Sequence, residues 1–387
     1  MSSRTSAETR LRRSLLAVLG SSLLVLLAFP GRAEPPALFK DPEDGAVDLS
    51  GWLGSRTGFL PVVAPITEPA VGFGGAVALV KFHGGGLASA ATAPPGPTGK
   101  PIPPDVSAAG GALTENGTWA AFVGHLGYWG GDRWRYVGAL ARISPVLDVY
   151  GRDGRAYGFN LDGWAVYQEL MRRVGKTDLF AGVRFAYVDS TVAFPFDAAP
   201  PEVPRPSFQS IDSGLGVVVE YDTRDNTFSP ATGVNLEGSG MFLGPWLGGD
   251  AAYQRYSLIT KGFWDVHPRL VLAARVQVLG VGGDPPFYAR PFVRLRGIPS
   301  MRYQGDAVVA VDGEVRWNAW KRWWLVGFAG AGWTSAKSGS LASEESVHAG
   351  GAGFRYLVAR RLGLQAGIDV AKGPEQSAIY VVVGSSF

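Results

Sequence analysis

The chain ends Gln376-Ser-Ala-Ile-Tyr-Val-Val-Val-Gly-Ser-Ser-Phe387, an alternating stretch that stops on an aromatic residue. Ile379, Val381, Val383 and Ser385 form one stripe, mostly apolar; Ala378, Tyr380, Val382, Gly384 and Ser386 form the other. Successive side chains on a strand point to opposite faces, so the first stripe can meet lipid while the second lines a lumen. The stretch reads as the closing strand of a transmembrane β-barrel, running to Phe387.

The same period of two recurs upstream. Ile211, Ser213, Leu215, Val217, Val219 and Tyr221 oppose Asp212, Gly214, Gly216, Val218 and Glu220. Leu362, Leu364, Ala366, Ile368 and Val370 oppose Gly363, Gln365, Gly367 and Asp369, and Val309, Val311, Val315 and Trp317 oppose Asp312, Glu314, Arg316 and Asn318. Sustained alternation argues for strands over helices. The spacing predicts an all-β antiparallel barrel of 16 strands: 57–64, 71–83, 105–114, 118–129, 132–144, 156–172, 178–190, 209–222, 233–243, 254–266, 268–282, 306–319, 322–333, 347–359, 361–371 and 377–387. An even count with both termini in the periplasm makes the connections near 172–175, 265–268, 318–321 and 358–361 short periplasmic turns, and 191–208, 244–253, 283–305 and 334–346 longer external loops. The Gly- and Pro-rich stretch 84–104 falls on the periplasmic side, where a short turn is expected. Trp and Tyr recur at strand ends (Tyr128, Trp129, Trp134, Tyr136, Trp317, Trp320, Trp323, Trp324), as rings seeking the headgroup level do.

Composition agrees with a barrel. Gly accounts for 54 of 387 residues and charged residues for only 18%, against roughly 7% and 25% in ordinary soluble chains. Cysteine is absent, which excludes disulfides and thiolate chemistry. Arg4, Arg10, Arg12 and Arg13 precede an apolar run from Leu15 to Phe29 and then Gly31-Arg32-Ala33, so residues 1–33 read as a signal peptide cleaved after Ala33. Residues 34–56 are then a short periplasmic segment and 57–387 the barrel. The leader holds five arginines and one glutamate; without it, 31 of the 36 basic and 32 of the 33 acidic residues remain, a formal charge of −1. A nucleic-acid partner, which needs a basic surface, is not expected. After Phe29 no segment is long and apolar enough for a spanning helix, so a membrane-integral chain must pair its backbone in a closed sheet.

Three ordered segments resemble the barrel of the BamA/TamA superfamily, the bacterial surface-antigen family that includes two-partner secretion transporters. Val219-Glu-Tyr-Asp-Thr-Arg-Asp-Asn226 with Pro230 and Gly233 is similar to its Tyr-Asp-x-Arg-Asp strand and turn; Asp222, Arg224, Asp225 and Asn226 are turn formers with locally bonding side chains. Val293-Arg-Leu-Arg-Gly-Ile298, with Tyr303-Gln-Gly-Asp306 and the strand Val311-Asp-Gly-Glu-Val-Arg-Trp317, resembles its sixth external loop, whose Arg-Gly motif folds back into the lumen. The resemblance makes Arg296 the lumenal lock and Gly297 its hinge, with Ile298 where an aromatic is usual. It places the usual acidic partner at a position where this chain has Gly330, leaving Glu314, Asp312 or another lumenal carboxylate as acceptor. The third segment, Gly350 to Phe387, is similar to the family's final three strands.

The resemblance implies an integral protein of the bacterial outer membrane: a transport, assembly or translocation-related pore plugged by its loop, in contact with outer-membrane lipid and with a periplasmic partner or translocated substrate. Relatives that assemble or secrete proteins carry periplasmic POTRA modules of about 75 residues, whereas 23 residues separate Ala33 from Thr57; a barrel without such modules is expected. Two other readings stand beside the pore: an outer-membrane enzyme acting on lipid or peptide, and the barrel subunit of a larger complex. An enzyme is the less favoured. His83, His125, His267 and His348 show no metal-ligand spacing, and His125, as a lumenal base, has no readable Ser or Asp partners. No catalytic residue, metal or cofactor is expected.

Overall fold

Alternating apolar residues are half-buried on a sheet only if the sheet has two distinct faces, and the chain provides both by winding one continuous antiparallel meander. The computed structural model describes residues 39–55, 59–84, 95–100, 102–151, 154–195, 207–335 and 345–386. The leader 1–33, residues 34–38 and 56 of the following segment, and Phe387 lie outside these. Two units are separable, Met1–Val47 and Asp48–Phe387. The described part of the first is a tight hairpin, with Lys40 bridging Val47 and Asp41 N–H bonded to Ala46 O at 2.9 Å.

The second unit begins with a short helix, α1 (Ser50–Ser55), and continues as β1 (Phe59–Ile66), β2 (Gly74–Phe82), β3 (Val106–Thr114), β4 (Trp119–Trp129), β5 (Trp134–Ser144), β6 (Val146–Tyr150), β7 (Ala156–Arg173), β8 (Leu179–Ala193), β9 (Ser207–Asp222), β10 (Gly233–Leu243), β11 (Tyr253–His267), β12 (Leu270–Gly283), β13 (Ala307–Trp320), β14 (Trp323–Ser335), β15 (Ser346–Ala359), β16 (Leu364–Lys372) and β17 (Ser377–Val383). Each pairs with its neighbour in sequence, except that β5 and β6 both lie on β7. Those two are one stave broken at Pro145, which has no N–H to donate to a ladder. Seventeen segments therefore build the 16 staves expected, and 146–150, which lies outside the predicted strands, continues the β5 stave rather than serving as a connection.

Two further expectations need correction. β17 stops at Val383, short of 387. Gly384, at φ +83°, turns the chain out of the strand, and Ser385, expected on the outer stripe, instead receives a hydrogen bond from lumenal Arg316. His125, considered as a lumenal base, stands on the outer wall, since it faces Gly138 across the β4–β5 ladder on the same side as exposed Leu140.

The faces separate as the alternation requires. Leu215, Val217, Val219 and Tyr221 on β9, and Val309, Val311, Val315 and Trp317 on β13, are exposed on the outside; Asp212, Asp312, Glu314, Arg316 and Asp369 are buried within. Short turns gather at one end, joined there by the 83–105 connection, whose Lys100 Nζ bonds Asp222 O at 2.9 Å and pairs with Asp178 at 3.3 Å. Bulges at Asp265/His267, Asn318/Trp320 and Leu357/Ala359 mark the same end. Trp129, Trp317, Trp320 and Trp323 are exposed around it.

Candidate functional site: an arginine network between loop and inner wall

Residues 284–306, joining β12 to β13, form a small hairpin of their own. Val293 N–H bonds Tyr303 O at 2.9 Å, Phe292 bridges Gln304, and Ile298 N–H closes on Leu295 O at 3.1 Å, which leaves Arg296 and Gly297 at the tip. Apolar residues on the hairpin hold it to two regions of wall. Val293, Leu295, Ile298 and Tyr303 pack with Val308 and Ala310 of β13 and Val347 and Ala349 of β15. Met301 packs with Val149, Phe159, Leu161 and Val192 on β6, β7 and β8. Tyr288 adds a polar contact, its hydroxyl 2.8 Å from Asp212 Oδ2 and 2.6 Å from Ser210 Oγ on β9.

At the tip, Arg296 Nη2 donates to Glu314 Oε2 at 2.8 Å and Nη1 to Asp369 Oδ2 at 2.5 Å. Its guanidinium carbon lies 3.5 Å from the centroid of Phe328, a stacking geometry that Arg favours over Lys. Each carboxylate has a second arginine: Arg316 Nε donates to Glu314 Oε1 at 2.6 Å, and Arg355 donates to both oxygens of Asp369 at 2.6 and 2.9 Å. Charges thus alternate along Arg316, Glu314, Arg296, Asp369 and Arg355 over β13, the loop, β16 and β15. Asp369, Glu314 and Arg355 have 0%, 3% and 2% of their surface exposed. Buried charges persist only when paired and hydrogen-bonded, and every member of this chain is. The outer ends of the chain hold the carboxyl-terminal segment, through Arg316 Nη2 to Ser385 Oγ at 3.1 Å and Arg355 Nη2 to Ser386 Oγ at 2.8 Å.

Gly297 is fixed by two requirements. Its φ is +93°, and a Cβ there would stand 3.0 Å from Gly373 N and Lys372 C. Its N–H donates to Tyr380 Oη at 2.9 Å. The structure brings together Arg296, Gly297 and Glu314 of the sequence-predicted set and leaves out Asp312, which accepts instead from Arg275 Nε at 2.8 Å. The acceptor missed in sequence is Asp369, although its lumenal face was legible from the 362–370 alternation.

Gly330 stands where the resemblance expects an acid. A Cβ there would lie 2.7 Å from Asp312 Cβ, 2.8 Å from Leu295 Cδ2 and 2.9 Å from Val311 O. The loop's own leucine fills that space, so a carboxylate cannot share it.

The turn motif sits between β9 and β10. Arg224 donates through Nε and Nη2 to both oxygens of Asp222 at 2.8 Å; Asp225 Oδ1 accepts from Ala231 and Thr232 N–H; Asn226 Oδ1 accepts from Phe228 and Ser229 N–H, while its Nδ2 reaches Leu362 O at 3.0 Å on the β15–β16 turn. Among the described residues no group of three or more His, Asp or Glu could hold a metal ion.

The five charged residues of the network, Arg296, Glu314, Arg316, Arg355 and Asp369, lie within a stretch that matches a known family. Residues 184–370 match the family model described as the Omp85 superfamily domain. The fold is similar to that of BamA from Haemophilus ducreyi lacking POTRA domains 1–3 (TM-score 0.58, 12% identity, covering 85% of this chain and 70% of that one). It is also similar to CdiB from Escherichia coli (0.55, 12%, 84% and 61%) and CdiB from Acinetobacter baumannii (0.54, 10%, 84% and 59%). The chain thus spans less than two thirds of either CdiB. No curated protein matches it in sequence. Residues 184–370 thus match the Omp85 superfamily domain, and the fold is that of a barrel similar to BamA and CdiB.

Proposed function

We propose that this protein is a pore of the bacterial outer membrane, serving transport, assembly or translocation, whose lumen is plugged by the 284–306 loop with Arg296 as the lock and Gly297 as the hinge. The observation that carries the reading is the bridging of Glu314 and Asp369 by a guanidinium at the tip of an inward-folded loop. Such an arrangement has a defined broken state. Withdrawing the loop separates Arg296 from both acids while each acid keeps its wall arginine, so the wall survives opening. The 1–33 leader would deliver the chain to the periplasm, and a periplasmic protein or a translocated substrate is the partner class that fits a plugged pore. Passage requires the loop to shift or the first and last strands to part.

Arg296→Ala in planar bilayers tests this. Removing one partner from a buried pair costs about 3–5 kcal/mol, and the second arginine on each acid puts the loss near the lower end. About 3 kcal/mol corresponds to a roughly hundredfold rise in the open population, seen as raised conductance and faster cleavage within 284–306. Unchanged conductance together with unchanged cleavage would remove the lock from the reading.

A further inference from the structure

The outer wall of the first staves carries a polar rung where lipid-facing walls are apolar. Directly opposed residues across β2, β3, β4, β5 and β7 form rows that run square to the strands. One row runs Lys81, Ser107, His125, Gly138, Gln168, and the next toward the loop-bearing end runs Leu79, Ala109, Val123, Leu140, Val166. Leu79, Val123 and Leu140 are exposed, which fixes both rows on the outside.

The polar row is organised. Ser107 Oγ lies 2.9 Å from His83 Nε2 and 2.9 Å from His125 Nδ1, a three-residue hydrogen-bonded chain over three strands. Tyr136 Oη bonds Gln168 Oε1 across the bare Cα of Gly138. His125 stacks near Trp129 at 6.4 Å, and Trp129 on Tyr136 at 5.3 Å. Above these groups the wall is hollow: small residues at 108, 109, 124, 138 and 139 floor a groove of about 460 Å³, bounded by Phe59, Leu79 and Leu140. His125 lies four residues above the Trp129–Trp134 pair; on a strand rising about 3.3 Å per residue and tilted about 40°, that is roughly 10 Å into the wall. Polar groups at such depth are costly and mark function.

From this juxtaposition we propose a binding site for one phospholipid of the leaflet at the short-turn end. Its phosphate meets Lys81 and His83, its glycerol esters meet Ser107, His125 and Gln168, and its chains lie along Ala109, Val123 and Leu140. From the short-turn end the wall passes from His83, two residues beyond Lys81, to the hydrogen-bonding row that Lys81 shares and then to the apolar row, which is the order of groups along the lipid. The inference rests on the reading of this face as embedded in membrane.

Native mass spectrometry of the full protein, exchanged into mild detergent with dioleoyl phosphatidylglycerol, tests it. One lipid is expected to be retained, with at least a tenfold loss of affinity in S107A/H125L/Q168L. The variant places apolar side chains against lipid, so it is expected to fold and to keep wild-type heat-modifiable migration. If it does not, the single change S107A, which breaks the His83–Ser107–His125 chain alone, is the comparison. Equal retention by wild type and variant, no retention by wild type, or a second polypeptide occupying the face in place of lipid overturns the proposal in a protein that still requires detergent. Solubility without detergent would instead overturn the membrane reading and the site with it.

Discussion

Glycine 330 shows how a single residue redistributes a charge network. A barrel that places an acid there needs room beside its arginine; here Leu295 of the loop occupies that room and the acid comes from β16 as Asp369. Restoring the expected acid should therefore harm the protein. Gly330→Asp would force its Cβ against Leu295 and Asp312 and bring a second carboxylate beside Asp312, and overpacking alone costs about 1–3 kcal/mol. The expected outcome is a loop cut faster by protease, with the barrel itself still heat-modifiable; unchanged cleavage would show that the space is available. Much of the site was legible beforehand. Arg296, Gly297 and Glu314 stood out because a motif names the first two and alternation puts the third on the lumenal face. Alternation also put Asp369 on that face, but it says nothing of how near two staves come when joined through an inserted loop. That distance depends on where the tip lands, which Ile298, Tyr303 and Tyr380 decide by packing and hydrogen bonding far from the motif in sequence.

At the scale of elements, period two located nearly every strand, and it failed where another constraint overrode it. Pro145 split one stave, and Gly384 ended β17 early so that Ser385 and Ser386 could reach lumenal arginines. A second element was hidden for a different reason: α1 is six residues long and has no amphipathic stripe to read. It is tied in place by polar contacts. Asp48 Oδ1 accepts from Ser50 N–H at 2.6 Å, its Oδ2 accepts from Arg322 Nη1 at 2.7 Å and Arg360 N–H at 2.9 Å, and Ser50 Oγ accepts from Arg361 N–H at 3.1 Å. Burial pushes the Asp48 carboxyl up, but the hydrogen bonds from Ser50, Arg360 and Arg322 outweigh it and hold the group below its ordinary 3.8. A carboxylate whose folded value is depressed stabilises the fold above its unfolded value and loses that contribution as pH falls through the folded one. The attachment of α1 is thus expected to be intact at pH 5 and to loosen below about pH 4, read as faster amide exchange over 49–55. Asp48→Asn should show the loosened state already at neutral pH, with the pH step gone; a step that persists in the variant would place its origin elsewhere.

The Asp48–Phe387 unit is a sheet whose two ends must meet, and the staves there are the shortest. β1 and β17 have 8 and 7 residues, against 18, 15 and 16 in β7, β8 and β9. Among the described residues no ladder joins β1 to β17; the join is carried by Val381 N–H donating to Thr67 Oγ1 at 3.0 Å, just past the end of β1. Pro61 and Pro65 withhold two donors from β1, as edge strands often do. The carboxyl-terminal residues compensate from within, since Arg316 and Arg355 grip Ser385 and Ser386 just past the end of β17. The arginine network therefore fastens two things, the 284–306 loop through Arg296 and the carboxyl-terminal segment through its outer arginines. Local opening costs least where few ladder bonds must break. In hydrogen-exchange mass spectrometry of the protein in lipid nanodiscs, amides of 59–66 and 377–383 are expected to exchange at least tenfold faster than those of 179–193 and 207–222. Arg355→Lys would keep a charge beside Asp369 but lose the fork that holds carboxylate and serine together. It should therefore speed exchange in 377–383 while leaving 207–222 unchanged. Uniform exchange around the sheet would mean that the join is as strong as any ladder, and that release must come from the loop alone.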